Sequence, residues 1–179
     1  MPHILTVCTG NICRSPAAEI ALRRHLGDAI TTSSAGTRAV VGRGVPEQMA
    51  REMAADGLDA STHVARQFTA ALAQEADLVI ALAAEHRRLL VSEAPPALKK
   101  SFLLMELAAM ARSGAPLEGE GTAERVANIA QAVIAYRPQL AALDIGDVPD
   151  PYGRTDEEYA ESFAMIRDAV NDIAAWVKG

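Results

Sequence analysis

The chain has 179 residues, 50% apolar and 22% charged, enough for one domain with a sizeable core and too apolar to be disordered throughout. Seventeen Lys and Arg against 23 Asp and Glu leave a net charge of −6, which disfavours non-specific nucleic-acid binding but leaves room for a local basic pocket. With two cysteines, no signal-peptide pattern at the start and no run of 18 apolar residues, the expectation is a reduced, cytoplasmic protein with no disulfide scaffold and no membrane partner.

In chain order, residues 4–7 (ILTV) read as a short apolar strand, and residues 15–26 as a helix with Ala18, Leu22 and Leu26 four apart. Residues 31–35 (TTSSA) give a weaker strand. Residues 46–56 read as a helix opened by Pro46 and closed by Gly57, each suited to its end. A buried strand spans 77–82 (DLVIAL), followed by a charged helix over 84–92 that Pro95 and Pro96 stop. Residues 101–104 (SFLL) are the fourth strand candidate. Alanines at 70, 71, 73, 108, 109 and 111 favour helix around them. The stretch 114–121 (GAPLEGEG) is a loop, and the extra segment over 112–122 either covers the working edge or lengthens a surface loop. Residues 120–143 carry Val126, Ile129, Ala130, Val133 and Ile134 on one stripe. Residues 155–177 carry Tyr159, Phe163, Ile166, Val170, Ile173 and Val177 near a 3.6 period, opened by the capping box of Thr155 and Glu158.

Strands alternating with helices predict an α/β fold whose parallel sheet is covered on both faces. The ligand site of such a sheet lies at the carboxyl ends of its strands. That puts the loops after Val7 and after Leu82 on the working edge. Arg87 and Arg88, beyond the second loop, read either as a solvated helix face or as a pocket rim.

The first strand runs into Cys8-Thr9-Gly10-Asn11-Ile12-Cys13-Arg14-Ser15-Pro16, which reads as strand, tight turn, helix. The amides between Thr9 and Arg14, if curled, form an anion nest, and the helix adds its positive end. Gly10 gives the turn freedom, and Arg14 offers a planar fork for two phosphate oxygens. Cys8 sits at the base of this bowl, where the field favours an anion, and the thiolate is the nucleophile. Ser15 can donate a hydrogen bond to the sulfur. This suits phosphoryl transfer to Cys8, with amides and Arg14 holding the equatorial oxygens. An acid must protonate the leaving oxygen and a base must later activate water. Asp150, in the loop Asp147-Val148-Pro149-Asp150-Pro151-Tyr152-Gly153, is the candidate for both. Asp147 is its rival, and composition alone does not separate them. No metal or other cofactor is expected: His3, His25, His63 and His86 are scattered, and zinc needs four ligands.

These residues carry a resemblance. The loop CTGNICRS (residues 8–15) and the Asp150-Pro151-Tyr152 triplet are similar to the nucleophile and acid loops of the low-molecular-weight protein tyrosine phosphatases. Ser34-Ala35-Gly36-Thr37 and His63-Val64-Ala65-Arg66-Gln67 resemble two further segments of that family. The resemblance covers most of the chain as a single domain, 1–179, and is weakest over 84–143. It implies a three-layer fold with a four-stranded parallel sheet, a phosphate-binding loop after strand 1 and metal-free hydrolysis through a phosphocysteine. By residue it implies Cys8 as nucleophile, Arg14 as clamp and Asp150 as acid. Thr9, Gly10, Asn11, Ile12, Cys13, Ser15, Val40 and Tyr152 would line the phosphate and substrate pocket. Asn11, Ser15, Ser34 and His63 would form the network that holds the loop, and Cys13 a reversible disulfide with Cys8 under oxidation. Two departures stand out. Val40 occupies the position where the family usually has an aromatic wall, and Leu82-Ala83 replaces its Met-Asp pair. The expected partners are a phosphorylated protein or small phosphate ester, with a tyrosine kinase among the substrates by analogy only. An arsenate reductase using an external small thiol and a non-catalytic phosphate sensor are the alternative readings.

Overall fold

In the computed structural model, which describes residues 1–179, strand β1 (His3–Cys8) leads through a loop into helix α1 (Arg14–Leu26). Then follow β2 (Thr31–Gly36), α2 (Glu47–Ala55), α3 (Ala70–Glu75), β3 (Leu78–Ala81), α4 (Ala84–Glu93), β4 (Ser101–Leu103), α5 (Leu104–Arg112), α6 (Thr122–Tyr136) and α7 (Asp156–Lys178). The four strands form one parallel sheet in the order β2-β1-β3-β4. The register sets Cys8 beside Gly36, and Val7 beside both Ala35 and Ala81.

Alternation along the strands makes two cores. Ile4, Leu78, Ile80 and Phe102 face the larger one, filled by α1, α2, α5, α6 and α7. Leu5, Val7, Val79 and Ala81 face the smaller one, with Ala73 of α3 and Leu90 of α4. The expected three-layer arrangement is the observed one. Each fully buried Leu or Ile contributes about 1.5–3 kcal/mol, and the stripe of α7 from Tyr159 to Val177 is buried at all six positions. The Thr155–Glu158 capping box is formed in both directions.

Several boundaries differ from the sequence reading. The SFLL run at 101–104 is shared: the strand stops at Leu103, and Leu104 opens α5. Pro46 stands just before α2 with ψ of 148°, and Glu47 is the first helical residue. The helix expected to reach 143 ends at Tyr136, where a 3-10 turn over Arg137–Leu140 takes over. Pro138 lies in that turn and has no N–H to continue an α-helix. The extra segment does not cover the working edge. Helix α5 leaves the end of β4 and runs away from that edge, and the loop after it is tied to the far end of α7, where Trp176 Nε1 donates to the Ala115 carbonyl at 2.7 Å.

Candidate active site

The loop over residues 8–14 is held by its neighbours rather than by itself. Thr37, Arg38 and Val40 donate their N–H groups to the carbonyls of Cys8, Thr9 and Gly10, each at 2.9 Å. Gly36 is needed where the loop crosses β2: a Cβ there would collide with the Thr9 carbonyl and stand 2.9 Å from the Asn11 nitrogen. Asn11 is the one non-glycine residue at positive φ, 54°, a conformation that costs an L-residue about 1–2 kcal/mol. Four hydrogen bonds hold it there. Its Nδ2 donates to Ser15 Oγ at 3.0 Å and to Ser34 Oγ at 2.8 Å. Its Oδ1 accepts from Arg66 N–H at 2.9 Å, and its carbonyl faces His63 Nε2 at 2.7 Å. Ser34 in turn donates to Glu19 Oε2 at 2.7 Å. Ser15 Oγ lies 2.9 Å from Cys8 Sγ.

In front of the loop is a cavity of about 140 Å³. Cys8, Thr9, Gly10, Ile12, Cys13, Arg14, Val40, Asp150 and Tyr152 line it, as does Arg38, which the sequence reading had not singled out. The side chains of Asn11, Ser15, Ser34 and His63 stand behind it as scaffold. Val40 and Tyr152 are 40% and 60% exposed at the mouth, so one aromatic ring and one small aliphatic side chain form the outer wall.

Residues 147–150 complete the site from the other end of the chain. Arg14, 6% exposed, donates through Nη1 to the Val148 carbonyl at 3.0 Å and places Nη2 3.3 Å from Asp150 Oδ2. Asp150 itself is 52% exposed. The loop that carries Asp150 is pinned by Val148 N–H to the Leu82 carbonyl, 3.0 Å, and by Ser162 Oγ to the Pro149 carbonyl, 3.0 Å. Asp147, the rival carboxylate, is not among the residues lining the cavity and accepts the Ala84 N–H at 2.8 Å, capping α4. The two carboxylates thus differ in placement: Asp150 lines the cavity and Asp147 does not.

His86 is the larger omission. Its side chain is buried, 2% exposed, with Nε2 2.9 Å from Thr9 Oγ1 and Nδ1 without a partner. Burial first, and then the Arg14 guanidinium, push its pKa down to about 4, against the opposing pull of Asp147 and Asp150. A neutral imidazole therefore supports the loop at neutral pH. The only sequence signal was its place two residues into the helix that leaves the working edge. Cys13 is held as a neutral thiol, its pKa pushed up to about 12 by burial first and then by the negative charges of Cys8 and Asp150. Both cysteines are free. Arg87 and Arg88 do not rim this cavity; Arg87 Nε donates instead to the Ser101 carbonyl at 2.7 Å. No group of three or more His, Cys, Asp or Glu side chains is arranged so that it could hold a metal ion, and no helix is long and apolar enough to cross a membrane.

The family model for low molecular weight phosphotyrosine protein phosphatases matches residues 3–115. The chain is 37% identical over 175 residues to the low molecular weight protein-tyrosine-phosphatase Etp of Escherichia coli K12, covering 98% of this chain and 92% of that one. A putative low molecular weight protein-tyrosine-phosphatase of Klebsiella pneumoniae is 29% identical over 93% of this chain and 90% of its own. Among solved structures, Vibrio vulnificus Wzb in complex with benzylphosphonate superposes with a TM-score of 0.73 at 25% identity, covering 97% of each chain. By the matched model, the full-length likeness and the architecture together, the chain belongs to the low molecular weight phosphotyrosine protein phosphatase family, a family of phosphate-monoester hydrolases.

Proposed function

We propose that the chain hydrolyses phosphotyrosine-type and other aryl phosphate monoesters through a phosphocysteine, without a metal. The observation that carries this is the convergence of Cys8, Arg14 and Asp150 on one small cavity. The phosphate dianion enters the bowl, where the loop amides and the Arg14 guanidinium hold its equatorial oxygens. Cys8 Sγ attacks phosphorus in line. The P–O(aryl) bond breaks as Asp150 gives its proton to the leaving oxygen. In the second half Asp150 takes a proton from water, the water oxygen attacks phosphorus and the S–P bond breaks. Ser15 Oγ, 2.9 Å from the sulfur, donates to it as negative charge returns.

Cys13 does not compete as nucleophile, because burial and its neighbours' charges keep its thiol protonated. The benzylphosphonate bound by the Vibrio vulnificus relative has the ring-plus-dianion form of the proposed substrate. A phosphorylated protein is the proposed partner, with a tyrosine kinase as one member of that class and the cytoplasm, where thiols stay reduced, as the setting. An acid beside the bowl serves an ester leaving group, so no observation favours the arsenate-reductase or phosphate-sensor alternatives.

The test is para-nitrophenyl phosphate hydrolysis in EDTA and reductant. The unmutated protein turns over, and Cys8→Ser loses turnover while still binding inorganic phosphate. Undiminished turnover in Cys8→Ser refutes the phosphocysteine route.

A further inference from the structure

A second cavity, about 450 Å³, opens at the carboxyl end of β4. Arg87, Arg88 and Val91 border it from one face of α4, Glu106 from the first turn of α5, and Arg137 and Ile145 from the chain beyond α6. We propose that this cleft is an anion-binding subsite that takes an acidic stretch of the phosphoprotein substrate flanking the phosphotyrosine. The inference rests on the phosphatase reading and deepens it.

Two of the three guanidinium groups are fixed in advance. Arg87 uses Nε on the Ser101 carbonyl at 2.7 Å and reaches the Leu98 carbonyl with Nη2 at 3.5 Å. Arg137 uses Nε on Glu106 Oε1 at 2.8 Å and lies over the Phe102 ring, 5.5 Å from its centroid. Both keep outer N–H groups for a ligand, and Arg88 is exposed and makes no ion pair. Three positive charges against Glu106 make this a basic spot on a chain of net charge −6. Held guanidinium forks match carboxylates two oxygens at a time and lose little freedom on binding. The cavity is too large for a lone carboxylate. Val91 and Ile145 supply apolar wall for the methylene groups of Glu side chains.

Placement ties the cleft to catalysis. The bowl stands at the end of β1 and the cleft at the end of β4, with only β3 between them. Two strand spacings are about 10 Å, and an extended peptide covers that in about three residues. The segment 145–150 joins them directly, with Ile145 on the cleft and Asp150 on the bowl. Asp147, on that path, is engaged by the Ala84 N–H.

The experiment uses synthetic phosphotyrosine peptides carrying three Glu residues, three to five positions to either side of the phosphotyrosine, and matched peptides with Gln. The unmutated protein is expected to prefer one Glu peptide about tenfold in kcat/KM, chiefly through KM, with the preference shrinking in high salt. Arg88→Glu removes the preference and leaves para-nitrophenyl phosphate turnover intact, which also shows that the variant is folded. Lys178→Glu, the same charge change at the last residue of α7, keeps the preference. Equal kcat/KM for Glu and Gln peptides, a preference that survives Arg88→Glu, or equal loss in Arg88→Glu and Lys178→Glu overturns the subsite. Absence of para-nitrophenyl phosphate turnover in the unmutated protein overturns the catalytic reading instead.

Discussion

Replacing His86 by Gln tests whether a neutral imidazole buried beneath the catalytic loop makes the fold acid-sensitive. In the unfolded chain the ring protonates near its ordinary 6.5; in the fold it does so near 4, because burial and Arg14 oppose the charge more than Asp147 and Asp150 favour it. The unfolded state therefore binds the extra proton, and stability falls as the pH drops below 6.5 until the loss is complete near 4. From 6.5 to about 4, at 1.36 kcal/mol per pH unit, the full effect is about 3 kcal/mol, of which about 2 kcal/mol is lost between pH 7.5 and 5. Urea unfolding of both proteins at pH 7.5, 6 and 5 reads this directly. The other histidines and the carboxylates act on both proteins and cancel in the difference. The Gln variant keeps a hydrogen-bonding partner for Thr9 and is expected to lose about 2 kcal/mol less on acidification. Equal acid losses in the two proteins would refute the argument.

Asp150→Asn should lower kcat on phosphotyrosine by about 10²–10⁴-fold while inorganic phosphate still inhibits. Asp147→Ala should instead cost about 1 kcal/mol of stability and leave kcat in place; a larger kcat loss at Asp147 would exchange their roles. Gly36→Ala forces a methyl group into the Thr9 carbonyl and should cost at least about 2 kcal/mol in urea unfolding, with reduced para-nitrophenyl phosphate turnover; an unaffected variant would show that the loop gives way. Val40→Tyr restores a ring at the cavity mouth. An aromatic contact of about 0.5–1.5 kcal/mol lowers KM for phosphotyrosine roughly 3- to 10-fold, and an unchanged KM would place the substrate ring elsewhere.

What the sequence made legible followed chain proximity. Residues 8–15 are consecutive, so strand, loop and helix assemble the bowl locally, and the stripes of α1 and α7 each report one buried face. The features it hid depend on distant partners. Asp147 and Asp150 are alike as side chains, and what distinguishes them is an amide 63 residues away in α4. His86 meets Thr9 across 77 residues, so nothing beside it in the chain announces the contact. Phe102, Leu103 and Leu104 are apolar without a break, and a short apolar run fits a strand or a buried helix equally; the last of the three opens α5.

The sheet order has a consequence for how the molecule breathes. Strand β1 is paired on both sides, so exposing its amides means breaking its pairing with β2 or β3. The three-residue β4 lies at the sheet's edge, and α5 follows it directly in the chain, outside the sheet. Excursions there can occur while β1 stays closed. Cys8, the nucleophile proposed above, is thus anchored to a strand paired on both sides, and the 112–122 segment follows an edge strand through α5. Chain length can grow at that margin without loosening the geometry on which turnover depends.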